Sequence, residues 1–349
     1  MKGYNRGLHL FSLFTGCCTF LLIVAGGLVT STQSGLSVPD WPTTYGHFMF
    51  AYPLDQMVGG IFYEHSHRMI ASFVGFLTII LAVWMWRKED RRWVRNLSFA
   101  ALAAVILQGV LGGLTVLFML PTAISVSHAT LAQTFFAIVV SLALFTSKWW
   151  RTDAPLPRGN ENNLPLTRLA IITTLAVYVQ LIIGALMRHT HSGLVVPDFP
   201  LAYGQLFPSL SPEAMDRYNQ QLIQTDIRLA ADGVVTQSQI VIHMLHRAWA
   251  FVTAILVGWT AIRLLKLSAH SKRYSRLGYA LLGLVILQIT FGALTVVSQK
   301  AVDITTAHVA TGALLLVTCV LSSLHAVRVF GFRAHRRMAV SFATREVPA

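Results

Sequence analysis

The stretch Glu64-His65-Ser66-His67-Arg68 closes a loop that has no lysine or arginine and opens an apolar run from Met69 to Trp86. Similar junctions recur at His128, His246 and His308, each at the start of an apolar run. One histidine at the mouth of a buried helix is ordinarily a packing or interfacial residue. Four in equivalent places form two pairs, His67 with His128 and His246 with His308. Two imidazoles presented by neighbouring helices at one depth suit the axial positions of a haem iron, whose macrocycle fills the other four. Zinc fits less well, because no cysteine or carboxylate accompanies His128 or His308 and a structural zinc takes four protein ligands. A proton relay is the remaining alternative, since ionisable groups at membrane depth mark such paths.

The neighbours of these histidines differ between the pairs. Arg68 and Arg247 immediately follow His67 and His246, and each either holds a haem propionate through charge-assisted hydrogen bonds or faces the interface. Three positions before His67, on the same helical face, stands Glu64, whereas three before His246 stands His243. An acid beside one pair only points to different jobs. The carboxylate can accept a proton or stabilise positive charge on a bound group, and a site lacking it can pass electrons. The alternative for Glu64 is a helix-start acid favoured by the helix dipole. His47, His65, His189 and His191 are expected at the interface.

The elements that carry these residues must be membrane spans. A chain of 349 residues that is 54% hydrophobic and 12% charged, with mean hydropathy +0.60, is too apolar for a soluble protein of this size. A formal charge of +13 can indicate nucleic acid, but here the basic residues cluster between apolar runs and report topology, so no nucleic-acid partner is expected. Runs of about 20 residues, enough for a bilayer's ~30 Å core, fall at roughly 9–31, 66–87, 97–118, 125–147, 166–187, 244–265, 277–298 and 304–327. Eight spans put both termini on one side, the side that holds Lys2 and Arg6, Arg87 to Arg95, Lys148 to Arg168, Arg263 to Arg276 and Arg328 to Arg337. The positive-inside rule makes that side cytoplasmic. The amino terminus has the charge and apolarity of a signal peptide, yet the run from Leu8 to Thr30 is long enough to span and counts as the first helix. Cys17, Cys18 and Cys319 lie in apolar runs without CxxC spacing and are expected as small packing residues.

The chain repeats itself. Gly35, Pro39-Asp40-Trp41-Pro42 and Tyr45-Gly46 in the first long loop are answered at identical spacing by Gly193, Pro197-Asp198-Phe199-Pro200 and Tyr203-Gly204 in the second. Leu107-Gln108 leads to Gly112-Gly113-Leu114-Thr115, and Leu287-Gln288 to Gly292-Ala293-Leu294-Thr295. Val179-Gln180 to Gly184-Ala185-Leu186 is a third copy, and Gly26-Gly27-Leu28-Val29-Thr30 a fourth without the glutamine. The small residues either let helix backbones approach closely or make room for a flat macrocycle. The glutamines are either interhelical glue or contacts to a cofactor or water path. After Ser211-Pro212-Glu213, the spacing of Met215, Tyr218, Leu222 and Ile223 predicts a short amphipathic helix lying at the outer surface.

The expected fold is therefore an all-α integral membrane protein: eight transmembrane helices as two pseudo-symmetric parallel four-helix bundles, both termini cytoplasmic. Residues 1–150 form the N-terminal half, 151–165 a cytoplasmic linker, 166–330 the C-terminal half and 331–349 a cytoplasmic tail.

The glycine run at 26–30, Gly35-Leu36-Ser37, Pro39-Asp40-Trp41-Pro42, Gly46 and Glu64-His65-Ser66-His67-Arg68, with their second-half echoes, make the chain resemble the haem A synthase family across nearly all eight spans. The resemblance implies an oxidoreductase of the bacterial inner membrane that oxidises the C8 methyl group of haem O to the formyl group of haem A by successive hydroxylations, supplying terminal oxidases. It implies that the N-terminal half holds the substrate haem between His67 and His128, and that the C-terminal half holds haem b between His246 and His308. It makes Glu64 the acid essential to the oxidation. The partners it implies are haem O synthase (protohaem farnesyltransferase), terminal oxidase assembly factors, an electron-transfer partner of unknown identity, membrane lipid and further copies of the chain. Some members carry a cysteine pair in the first long loop; residues 32–65 contain none, so any redox role of that pair is absent here.

The main alternative is a di-haem b membrane cytochrome that transfers electrons without modifying haem. Such proteins commonly stack haems at two depths, whereas these four histidines predict one level. A transporter would also use duplicated halves, but its repeats are often inverted and these are parallel.

Overall fold

A computed structural model describes residues 3–152, 164–224, 234–267 and 271–331, and among these the regular structure is helical, with no strand. In chain order the helices are α1 (Arg6–Ser31), α2 (Gly59–Lys88), α3 (Arg92–Leu117), α4 (Thr122–Thr146), α5 (Lys148–Thr152), α6 (Leu164–His189), α7 (Pro212–Gln224), α8 (Gln237–Leu265), α9 (Lys272–Val297) and α10 (Val302–Phe330). All except α5 and α7 are long and apolar enough to cross a membrane, which gives the eight spans expected. The expected linker and tail fall mostly outside the described residues.

Local chemistry sets the helix ends. Asn5 caps α1 by accepting from the Leu8 N–H at 3.0 Å, and Ser271 caps α9 through the Arg273 N–H at 3.2 Å. Thr236 and Gln239 form a reciprocal capping box at the start of α8. The C-terminal ends of α1, α3 and α9 stop alike. The N–H groups of Ser34, Leu120 and Lys300 reach back to Val29, Thr115 and Thr295 at 2.8, 2.7 and 2.8 Å, each with a left-handed residue just before: Gln33, Met119 or Gln299.

The histidine-bearing helices begin earlier than their apolar runs suggest. α2 starts at Gly59 instead of near 66, and α8 at Gln237 instead of near 244. Polar residues such as Glu64 and His243 are helical because they find buried partners, so hydropathy alone undercounts these helices. His67, His128, His246 and His308 accordingly lie eight, six, nine and six residues after the first helical position.

Helices α1, α2, α3 and α4 close one ring of contacts, and α6, α8, α9 and α10 close another; α1 and α4 meet α6 and α10 between them. Each ring has its own core, Val74, Leu81, Met85 and Phe135 in one, Leu166, Val257, Leu281 and Leu316 in the other. Ile23, Phe136, Ala313 and Val317 seal the junction. Where apolar surface cannot drive association between spans, buried hydroxyl pairs help: Thr173 with Thr260 at 2.7 Å and Thr174 with Ser323 at 2.8 Å. Phe76, Ile106, Phe251 and Ile286 are each more than half exposed, as lipid-facing side chains are.

Helix α7 is the amphipathic helix expected after Ser211, whose hydroxyl accepts the Ala214 N–H at 3.3 Å. Its Met215, Tyr218 and Leu222 are buried against Val195, Val196, Ala202, Val235 and Ile240, whereas Ile223 is 71% exposed. The helix thus packs its apolar face on the second long loop and leaves its polar face exposed.

Candidate functional site

Each of the four histidines rests its imidazole on a glycine of the span before it. A methyl group added to Gly26, Gly112, Gly184 or Gly292 would stand 3.1 Å from Cε1 of His67, His128, His246 or His308 respectively. That is tighter than ordinary van der Waals contact, so only a hydrogen atom fits without displacing the ring. The small residues of the repeat therefore serve as seats for histidine rings. His67 and His128 lie within electrostatic reach of each other, and so do His246 and His308.

Nδ1 of His67, His128 and His308 is buried with no hydrogen-bond partner. An orphaned buried nitrogen is costly; a ring that gives one nitrogen to a metal and keeps its proton on the other would fit axial ligation of a haem iron, and His243 Nδ1 is orphaned in the same way. Among the described residues no three histidine, cysteine or carboxylate side chains converge as a metal site, so zinc has no ligand set.

The glutamines of the repeat meet the same histidines. Gln108 donates to the His128 carbonyl at 2.9 Å, and its amide nitrogen lies 3.4 Å from His128 Nε2. Gln180 donates to the His246 carbonyl at 3.1 Å and lies 3.2 and 3.3 Å from the two ring nitrogens. Gln288 approaches His308 Nε2 to 3.3 Å. Their amide oxygens are buried and unpartnered.

Glu64 is only 3% exposed. Its Oε1 accepts from Arg68 at 2.6 Å and its Oε2 from the Val38 N–H at 2.8 Å, so it is neither a solvated loop acid nor a bare helix-start acid. Arg68 also donates to the carbonyls of Val38, Asp40 and Thr43 at 2.8, 2.7 and 3.1 Å. Arg247 repeats the pattern on Val196, Asp198 and Leu201 at 3.2, 2.7 and 2.9 Å. Propionate binding and facing the interface, the two uses expected of these arginines, leave out what the structure shows, a clamp on three carbonyls of a long loop. Beneath the second clamp His243 replaces Glu64, accepting from Arg247 Nε at 3.0 Å. A guanidinium can only donate, so His243 Nε2 carries no proton and the ring is neutral.

Inside each loop an aspartate fixes the turn. Asp40 accepts the N–H groups of Tyr45 and Gly46 at 2.7 and 2.9 Å, and Asp198 those of Tyr203 and Gly204 at the same distances. Gly46 and Gly204 have φ of 76° and 74°, where a side chain would be strained. Burial pushes the Asp40 pKa up, but bonds from Gly46, Thr43 and Tyr45 outweigh it and hold the carboxyl below its ordinary value. His65, expected at the interface, is buried instead, with Nδ1 3.1 Å from the Thr44 hydroxyl and its ring against Tyr52. His47 and His191 are exposed and His189 is half-buried.

Two cations escaped the sequence reasoning. Arg188, at the end of α6, reaches α1 by donating to Ser31 Oγ at 3.1 Å and Gly27 O at 3.4 Å, and it pairs with no carboxylate among the described residues. It lies near His308. Lys300 lies close to Arg188 and to His243, and burial, reinforced by Arg188, lowers its pKa. The available signal was their position: basic residues at helix ends otherwise nearly free of them.

Residues 9–320 match the family model described as cytochrome oxidase assembly protein. Among similar proteins, the Heme A synthase of Alkalihalophilus pseudofirmus is 29% identical over 227 residues, covering 64% of this chain and 74% of that protein. The Heme A synthase of Halalkalibacterium halodurans is 31% identical over 212 residues, 59% of this chain and 68% of its own length. That of Geobacillus kaustophilus is 26% identical over 344 residues, 95% of this chain and 94% of its own. With the family model spanning all eight membrane helices in whole or in part, this chain belongs to the cytochrome oxidase assembly protein family.

Proposed function

We propose that the chain is a haem A synthase, which oxidises the C8 methyl group of haem O to the formyl group of haem A. The observation that carries the proposal is the set of four imidazoles, paired and seated on glycine, three of them with a buried nitrogen left open. Relatives bearing the name Heme A synthase support the substrate.

In this proposal His67 and His128 hold the substrate haem in residues 1–150, and His246 and His308 hold haem b in residues 166–330. In the same proposal the two rings of helices are pseudo-symmetric parallel four-helix bundles, and the basic clusters support a topology with both termini on the cytoplasmic face of a bacterial inner membrane. When bound, haem b supplies a one-electron redox centre. The substrate methyl becomes an alcohol and then a gem-diol, which loses water to leave the aldehyde. With water as the source of both oxygens, two waters enter, one leaves, and four electrons and four protons pass to an electron-transfer partner and to solvent. With dioxygen as the source, each hydroxylation instead takes one O2, two electrons and two protons and releases one water. Haem O synthase supplies the substrate, and terminal oxidase assembly factors take the product.

Glu64 stands one turn from His67, with both carboxylate oxygens engaged. A carboxylate held in this way is suited to stabilising positive charge that develops on the substrate and is a poor proton acceptor. Arg68 and Arg247 serve the two sites by fixing the loops above them. Arg188 and Lys300, lacking carboxylate partners among the described residues, take the haem propionates.

Glu64→Gln in purified protein is expected to retain both haems and lose haem A formation; undiminished haem A rules the role out. Extraction and chromatography of bound haem after co-expression with haem O synthase separates the enzyme from a di-haem cytochrome, because haem B alone refutes the synthase.

A further inference from the structure

One of the four histidine seats lacks the feature the others share. Four residues before the seat glycine stand Gln108 in α3, Gln180 in α6 and Gln288 in α9, but Leu22 in α1. Leu22 packs with apolar side chains of the first core. His67 makes no side-chain hydrogen bond among the described residues, and its buried Nδ1 has no partner. The second pair thus has a glutamine on both histidines, and the first pair has one on His128 only.

An amide in that place acts on the histidine twice. It ties the carbonyl of the histidine's own residue to the neighbouring helix, as Gln108 and Gln180 do. Its amide nitrogen, a donor, also stands 3.2 to 3.4 Å from a ring nitrogen, close enough to restrict rotation about the bond to the backbone. Loss of an outer-shell group that orients a metal-binding histidine ordinarily weakens metal affinity by about 10- to 100-fold.

We infer that Gln108, Gln180 and Gln288 are positioning residues for His128, His246 and His308, and that His67, which no glutamine reaches, is the releasable ligand through which haem in the first half exchanges. The inference rests on the haem assignment proposed above. It accounts for the distribution of glutamines in chemical terms. A substrate has to arrive, change and depart, so one of its ligands must let go. A resident cofactor has no such requirement, and both of its ligands are held.

The test follows haem loss from the purified, haem-loaded full chain to excess apomyoglobin. Haem remaining is extracted and resolved into haem O, haem A and haem B, and low-spin electron paramagnetic resonance signals report the two sites. Leu22→Gln is expected to slow loss of haem O and haem A about tenfold or more, with haem B unchanged. Gln180→Leu and Gln288→Leu are each expected to speed haem B loss about 10- to 100-fold, with the first site unchanged. Leu22→Met, a packing control, keeps wild-type rates. Wild-type loss of haem O and haem A from Leu22→Gln overturns the inference. Should that variant fail to fold, wild-type haem B loss from the two glutamine variants overturns it equally. If His67→Ala and His246→Ala both keep both haems with wild-type spectra, it is the haem assignment that fails.

Discussion

At position 184 glycine and alanine differ by one methyl group aimed at a histidine ring. Gly184→Ala would place that carbon 3.1 Å from His246 Cε1, so the ring must shift by a few tenths of an ångström. We expect reduced haem B content and a displaced low-spin resonance, with haem in the first half unaffected. Gly258→Ala, in α8, meets nothing within 4 Å and is expected to leave haem content intact while adding about 0.5–1 kcal/mol of helix stability. Residue type and spacing mark the four histidines in the sequence, and the structure sets each against a glycine of the preceding span. Those seats were not legible in the sequence, since whether a glycine faces lipid, backbone or an imidazole is decided by a helix that arrives from elsewhere in the chain. His65 was misplaced for the same reason: its burial depends on Thr44 and Tyr52 folding back over it.

The long loops behave as elements because an arginine binds each at three carbonyls, and the two clamps differ in what lies beneath them. Arg68→Met leaves Glu64 as a buried, unpaired carboxylate, which costs about 3–5 kcal/mol. Thermal unfolding in detergent should show the loss, together with faster proteolysis within residues 32–58. Arg68→Met with Glu64→Gln should lose less, because no buried charge is stranded. Arg247→Met strands only neutral His243 and should be milder than Arg68→Met; equal losses would mean that the carboxylate bears no net charge in the folded protein. The repeat of the loops was visible as Pro-Asp-aromatic-Pro at identical spacing, and so was α7, from its serine cap and apolar spacing. The early starts of α2 and α8 were not, because polar residues count against a span until their partners are known.

At the scale of the whole molecule, the eight spans follow from hydropathy, and the alternation of basic clusters motivates their orientation. The way the two rings meet, through α1, α4, α6 and α10, could not be read from one-dimensional periodicity. One further tie bears on integrity. At the turn between α2 and α3, buried Glu89 accepts from Arg91 and from Arg151 of α5, while Asp90 accepts from Arg151 at 3.0 Å. Burial opposes ionisation of Asp90, but the Arg151 guanidinium, through its hydrogen bond and its charge, prevails and lowers its pKa from 3.8 to about 2. A carboxyl with a depressed folded pKa contributes stability above its unfolded value and loses it as pH falls through the folded one. The melting temperature in detergent should therefore carry this contribution unchanged down to about pH 4 and lose it between pH 4 and 2. Arg151→Gln should lower the plateau and flatten that fall.

The distance of the histidines from their helix starts has a consequence for traffic. Six to nine residues at about 1.5 Å each set the rings roughly 9–14 Å along their helices, beneath loops fastened by Arg68 and Arg247. An oily ligand that slips sideways between neighbouring spans need break none of those fastenings, whereas one descending from water must. Arrival through lipid is therefore the route that leaves both clamps closed.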